Sequence, residues 1–435
     1  MIDDLEFALA FERLDEGAPE EKACFGLFGI RFRESELLGG VDHYSNAYRA
    51  GPMVSGYHVA EWLAWNWWRL LSEPRTSATD WWRAHNMTAI GEGYAWPNLT
   101  IYSDGVRTVL HSRASKRADA KPFRYLGAQP VILPSTHFES AIDDFVGRIL
   151  ARLRETGIIE SNLTKVWSEV LAERKDPATA KRRKLEALLG RDPDAFEGRD
   201  LEKLIQDARQ LGESAVEELA AESGQSNRIY TSETIKDLAS RLGQDASPRS
   251  VARLHSVGDL KPSGDIPAWV LGSRAARRLR EQERLGDGRI TDKTLSRLAG
   301  LSDQAIDRTD CAPISFVLED GQDRGKIVFR ARVKDGRRFE AARLLGDRLT
   351  VGGQDRLRAA TRAYTYRQRM QRAFAAEFLS PFESVEAFLN GDYSDEAQEE
   401  AAKHFGVSPR AILTLLVNHG RLERDELEAE VASAA

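Results

Sequence analysis

The sequence predicts a multidomain α+β protein, and three observations lead there. Its 435 residues correspond to about three domains of ordinary size. Strand-like alternation is interspersed with helix-spaced apolar residues in two separate regions, before about residue 155 and after about 262. The stretch between them is rich in Ala, Leu, Glu, Lys and Arg and has no strand signal. Residues 1–155 are therefore read as a mixed α+β recognition or interaction domain and 156–261 as an all-α spacer. Residues 262–390 form a second α+β domain, and 391–435 a small helix-turn-helix-like tail.

In chain order, FALAF and FGLFGIRF read as early strands. From Tyr57 to Leu71 the residues Val59, Trp62, Leu63, Asn66, Trp67 and Leu70 fall at helical spacing. NLTIYSDGVRTVLHS reads as a hairpin turning at Asp104-Gly105, and PVILP as a further strand. Thr136 and Glu139 offer a capping box for an amphipathic helix to about Arg154. Stops at Pro177, Gly190, Pro193 and Gly224 divide the spacer into short helices. IPAWVLGSRAARRLREQE and ITDKTLSRLAGL read as helices, the second capped by Thr291. PISFVLED and GKIVFRARV form a hairpin around Gly-Gln-Asp-Arg-Gly. A helix then begins near Arg337, and another is expected from Asp355 to Leu379, stopped by Ser380-Pro381.

Composition narrows the function classes. Lys and Arg number 62 against 68 Asp and Glu, a net charge of −6, which excludes a global polycation but not a local basic patch. Two distant cysteines, Cys24 and Cys311, make neither a disulfide framework nor a four-thiolate zinc site. The acidic start MIDDLEFALAFERLDE is unlike a secretory signal, and no run approaches the roughly 20 apolar residues of a membrane span. The expectation is a soluble, cytoplasmic protein with no membrane partner.

Two segments carry the most chemical information. One is Arg337-Arg338-Phe339-Glu340-Ala341-Ala342-Arg343-Leu344-Leu345-Gly346-Asp347-Arg348-Leu349; the other is Arg372-Ala373-Phe374-Ala375-Ala376-Glu377-Phe378-Leu379-Ser380-Pro381. In this order, after a hairpin and before a helical tail, they resemble the ImmA/IrrE family of zinc-dependent endopeptidases. The resemblance covers residues 262–435 and implies a zincin-like α+β domain. It also implies a place among bacterial proteins that switch stress, mobile-element or phage-related programmes. Family members carry two zinc-binding His four residues apart, a general-base Glu beside the first, and a third ligand in the FAAE helix. Here Arg343 stands at the first His, Leu344 at the general base and Asp347 at the second His, so that only Glu377 survives as a ligand type. An arginine does not release its proton to a metal, and leucine is no base. None of the eight histidines lies in H-x-x-x-H spacing.

The resemblance thus implies a pseudo-metallopeptidase without metal, cofactor or catalytic residues. Because Arg343 and Asp347 keep the i,i+4 relation, the guanidinium is expected to replace the zinc, paired with Asp347 and Glu377. The alternatives are that Arg343 faces water, or that Asp347 and Glu377 hold a harder metal such as magnesium.

Arg356, Arg358, Arg362, Arg367, Arg369 and Arg372 follow one another without an acid, interleaved with Tyr364 and Tyr366. This is either a phosphate-binding face or a set of structural ion pairs. In the tail, Ser408 and Pro409 start a second helix bearing Arg410, Thr414 and Asn418, but the first helix is acidic. Seven of nine tryptophans lie at 62, 65, 67, 68, 81, 82 and 96. Trp62 and Trp67 are assigned to the core. Trp65, Trp68, Trp81, Trp82 and Trp96, the last three in or near loops, remain as a recognition cluster.

His58, Glu61, His85, Asn86 and Asp104 form no defensible catalytic motif. The expected function is a non-catalytic protein-binding scaffold, sensor or regulator. A DNA-binding regulator using the Arg356–Arg372 segment and the tail is the less favoured alternative, and an enzyme with its site in the N-terminal domain is the second.

Overall fold

The computed structural model describes residues 5–423 except 77–78, 128–129, 196–198, 227, 257–259, 303, 322–323 and 352–354. The centre of the predicted hairpin turn at 321–325 and the Ala-rich C-terminus lie outside the described residues. The fold is mixed α+β, with many helices and several small antiparallel sheets. It divides into two compact units. The first takes residues 1–201 with 224–226 and 263–265, and the second takes 202–223, 227–262 and 266 onward.

The first unit opens with β1 (Leu5–Phe11), the short helix α1 (Pro19–Ala23) and β2 (Phe25–Phe32). β1 and β2 pair antiparallel with Phe7 opposite Ile30, as the alternation of the two early apolar runs predicts. At Gly26 a Cβ would lie 2.0 Å from the Ala10 carbonyl oxygen, so this close approach of strands requires glycine. Short strands β3 (Ser35–Glu36), β4 (Gly40–Asp42), β5 (Ala47–Arg49) and β6 (Met53–Ser55) follow. β3 and β6 extend the first sheet from β2, while β4 pairs with β5.

The predicted helix over 57–71 is two helices, α2 (Gly56–Trp65) and α3 (Trp67–Ser72), then α4 (Thr79–His85). Asn66 makes the break: its side-chain amide donates to the Trp62 carbonyl at 2.9 Å, competing with the helical ladder. The predicted hairpin is β7 (Asn98–Ser103) with β8 (Arg107–Arg113). β9 (Phe123–Tyr125) joins β4, and β10 (Val131–Pro134) joins β8. The helix expected next is α5 (Ser135–Glu155), but Pro134 occupies its N-cap, two residues before the predicted Thr136 box.

α5 packs Phe138 onto Phe7 and Phe145 onto both Phe7 and Phe28, with ring centroids 5.7 to 6.2 Å apart. α6 (Asn162–Lys175) and α7 (Pro177–Leu188) belong to this unit too, because Trp167 of α6 sets its edge on Trp67 at 5.4 Å.

The second unit holds α8 (Arg199–Leu211), α9 (Glu213–Ser226) and α10 (Ser232–Leu242), apart from the few end residues of α8 and α9 already assigned. A strand, β11 (Gln244–Ala246), departs from the all-α expectation for this region; β13 offers it an edge to pair with. Next come α11 (Ala268–Gln282), α12 (Asp292–Ala299) capped by Thr291, β12 (Ser315–Glu319) and β13 (Gly325–Val328). α13 (Lys334–Thr350) is the predicted helix near Arg337.

The helix expected from Asp355 to Leu379 is not continuous. β14 (Leu357–Ala360) completes an antiparallel sheet of order β11-β13-β12-β14, and α14 (Tyr366–Leu379) begins only after the Thr365 N-cap. Burial of all four β14 residues against β12 overrides their helix propensity. α15 (Phe382–Leu389) and the tail pair α16 (Asp395–Phe405) and α17 (Pro409–Asn418) close the unit. The tail turns at left-handed Gly406, with Ser408 as N-cap and Pro409 first in the helix, as predicted.

Candidate functional site

α11, α13 and α14 are brought together by small residues. At Gly272 of α11 a Cβ would lie 2.3 Å from the Met370 carbonyl oxygen, so the two backbones touch. On α13 the i,i+4 pair Arg343 and Asp347 points inward, and both residues are buried. On α14 the inward stripe is Arg367, Gln368, Gln371, Phe374 and Phe378.

The expected Arg343–Asp347–Glu377 pairing is not what this packing produces. Arg343 donates from Nη2 to the Thr361 carbonyl (2.7 Å), Gln368 Oε1 (2.5 Å) and Gln371 Oε1 (3.4 Å). Its Nε is buried without a hydrogen-bond partner, and among the described residues none of its hydrogen bonds goes to a carboxylate. Burial, and next the nearby charge of Arg372, push this guanidinium down to about 9. It neither faces water nor neutralises an acid; it is a buried cation held by neutral oxygens.

Asp347 pairs with other arginines. Its two oxygens take Arg367 Nε and Nη2, each at 2.6 Å, in a bidentate fork. Arg358 Nη1 (3.2 Å) and Gln371 Nε2 (2.9 Å) complete four donors. Burial opposes ionisation of Asp347, but the Arg367 charge and its hydrogen bonds, then Arg358 and Gln371, hold the carboxyl below the usual range. A carboxylate has about four lone-pair sites, so Asp347 has none left for a metal ion. Among the described residues no three His, Cys, Asp or Glu side chains converge as ligands. The residues at this position do not fit a zinc or magnesium ion.

Glu377 lies on another side of α14, where it accepts from Arg277 of α11 at 2.7 Å. The α14 residues opposite Arg343 are the neutral amides Gln368 and Gln371. Leu344 is buried and apolar, with nothing to donate or accept from its side chain.

The network continues through groups that sequence reasoning missed. Arg367 Nη1 donates to Ser214 Oγ at 2.8 Å, and Thr365 Oγ1 stands 2.9 Å from both oxygens of Glu218. Burial raises the Glu218 carboxyl, against the opposing charge of Arg367 and hydrogen bonds from Gln368 and Thr365. Glu222 accepts the Arg362 backbone N–H at 2.6 Å. These acids reside on α9, some 140 residues away in sequence, and nothing local marked them.

The six-arginine segment is accordingly dispersed. Arg358 and Arg367 are buried on Asp347. Arg372 caps the backbone oxygens of Thr361, Arg362 and Ala363. Arg356, Arg362 and Arg369 are exposed and lie on a strand flank, a loop and a helix.

The tryptophans of the first unit also separate. Trp62 and Trp67 are buried, as assigned. Trp65 and Trp82 are exposed; Trp68 donates to Glu173 at 2.6 Å, and buried Trp96 donates to the Gly91 carbonyl at 2.5 Å. Trp81, within α4 rather than a loop, is buried and stacks on His85 with centroids 4.3 Å apart. These five do not share one surface.

His85 belongs to a buried polar cluster of its own. Nδ1 faces the Ile101 carbonyl at 2.7 Å and Nε2 faces Glu73 at 3.0 Å, so acceptors flank both nitrogens. Arg69 adds Nε–H to Glu73 at 2.7 Å. Burial raises the Glu73 carboxyl, but hydrogen bonds from His85 and Arg69 outweigh it and hold the group low. Comparison with protein-family models, curated proteins and solved structures gives no match.

Proposed function

We propose that the second unit is a degenerate ImmA/IrrE-like peptidase unit and that the protein works by binding a protein partner without cutting it. One observation carries this reading. Where a metal, its ligands and a base would stand, the chain holds an Arg–Gln–Asp–Arg network: Asp347 has four donors, and Arg343 rests on amide and carbonyl oxygens. No group there can activate water, since Leu344 is apolar and the arginines are donors only. Such a network fixes α13 against α14 and β14, leaving a rigid shape rather than a reaction centre. The order hairpin, α13, α14 and helical tail supports the same reading.

A regulator of this kind, in a bacterial stress, mobile-element or phage-related system, would present surface while keeping its interior inert. The test is affinity capture of the full chain from its native host with nuclease treatment, followed by intact-mass measurement of what is retained. The reading expects one uncleaved protein that stays bound without nucleic acid. A retained protein that is cut, or retention lost with nuclease, overturns it, the latter in favour of a DNA-binding regulator.

A further inference from the structure

A net charge of −6 leaves room for a local basic patch, and the first unit carries one. β4 pairs with β5 on one side and β9 on the other, which sets Tyr48, Val41 and Arg124 directly opposite one another. Residues opposite each other in antiparallel strands share a face. The other face holds Phe123 and Tyr125, buried with ring centroids 4.9 Å apart, so the Tyr48 face is the outer one. Tyr48 is 62% exposed, and Tyr44, in the β4–β5 turn, is 90% exposed. Asp42 is spent on the hairpin itself: Oδ1 accepts the Tyr44 N–H at 2.8 Å, and Arg49 Nε lies 2.8 Å from Oδ2.

The cations lie on the loop that leads into β9. The His43 N–H donates to the Pro122 carbonyl at 3.0 Å, which seats this loop beside the turn. From the outer face Arg124 Nη1 reaches the Ala118 carbonyl at 3.1 Å, and its Nε is buried without a hydrogen-bond partner. Lys116, Arg117 and Lys121 are exposed on the same loop, and their side chains make no hydrogen bond or ion pair among the described residues. Residues 113–127 are described throughout and contain one acid, Asp119; Ala128 and Gln129, which follow, carry no charge.

We infer that this surface binds single-stranded nucleic acid, with Lys116, Arg117 and Lys121 on phosphates and Tyr44 and Tyr48 stacked on bases. Cations alone would suit any polyanion; two exposed phenols beside them suit a strand whose base faces are open. A duplex buries those faces and offers the tyrosines nothing to stack on. The patch belongs to the first unit alone and is independent of the protein-binding reading of the second.

The experiment is fluorescence anisotropy of the full chain with labelled oligothymidylate of about 12 nucleotides, a duplex of the same length, and a labelled polyglutamate peptide of equal charge. The single strand is expected to bind more tightly than either, and its log affinity to fall with log salt at a slope of about −2, as three phosphate contacts require. Tyr44→Ala should weaken the strand about tenfold and leave that slope unchanged, whereas Tyr44→Phe keeps the ring and should bind like the parent. Lys116→Ala combined with Lys121→Ala should make the slope shallower by about 1.4. All three positions are exposed, so the variants should keep the parent's circular dichroism. No binding at micromolar strand concentration in low salt, affinity unchanged in Tyr44→Ala, or a duplex bound as tightly as the strand would each overturn the inference. Tighter binding of polyglutamate would overturn it in favour of an acidic protein surface.

Discussion

Replacing Asp347 by Asn keeps the side chain's volume and removes its charge. Two guanidiniums, Arg358 and Arg367, would then remain in the interior at 3% and 8% exposure without their shared counter-ion. The amide also turns one acceptor into a donor, which faces the Arg367 fork in either orientation, together with Gln371 or Arg358. Breaking a buried pair from one side costs about 3–5 kcal/mol. Asp347 serves two arginines, so the upper half of that range applies, a large share of the roughly 5–15 kcal/mol that holds a domain together. Partial compensation comes from Asp355, whose carboxylate lies 3.5 Å from Arg367 Nη1.

The assay is urea unfolding followed by circular dichroism, with Glu377→Gln as the control. Glu377 pairs with Arg277, whose side chain is 51% exposed and can turn to water, so that variant should lose no more than about 1 kcal/mol. The reasoning fails if Asp347→Asn costs under about 1 kcal/mol, or no more than Glu377→Gln.

Two further outcomes follow from the same packing. Glu73 is held low in the folded state, so its contribution is fully present above the unfolded value near pH 4.3 and lost as pH falls through the folded one. Glu73→Gln should therefore destabilise by about 3 kcal/mol at neutral pH, and the gap to the parent should shrink on acidification; a gap constant from pH 7 to 3 would contradict this. Gly272→Ala should cost about 1–3 kcal/mol, read from the thermal midpoint, because the added methyl meets the Met370 carbonyl and the Phe374 N–H of α14. An unchanged midpoint would show that α11 and α14 are not in backbone contact.

Much of the architecture was legible because it rests on local chemistry. Alternating apolar residues in β1 and β2, Asp104-Gly105 between β7 and β8, Thr291 before α12, and Gly406 and Ser408-Pro409 in the tail each act through their own backbone neighbourhood. Where the reading departed from the structure, a distant partner decided. Leu357–Ala360 has helix-compatible residues but is claimed by β12. Asn66 is apolar-face spacing interrupted by a side-chain hydrogen bond.

The site was half legible. Arg343 and Asp347 do share the inner face of α13, and the i,i+4 spacing is sufficient to say so. Their partners were not readable, because which face of α14 meets α13 depends on how closely α11 approaches at Gly272. That rotation turns Glu377 toward Arg277 and brings Gln368 and Gln371 inward. The one available signal was the pair of neutral amides three residues apart on a buried stripe that continues as Phe374 and Phe378. Glu218 and Glu222 gave none, since an acid on an Ala-rich helix reads as a solvated face.

The central claim, that this network has replaced a metal centre, is tested most directly by equilibrium dialysis of the chelator-free full chain against zinc with metal analysis of the retained protein. The account predicts far less than one zinc per chain, unchanged in Asp347→Asn. One zinc per chain in the parent, lost in Asp347→Asn or Glu377→Gln, would contradict it.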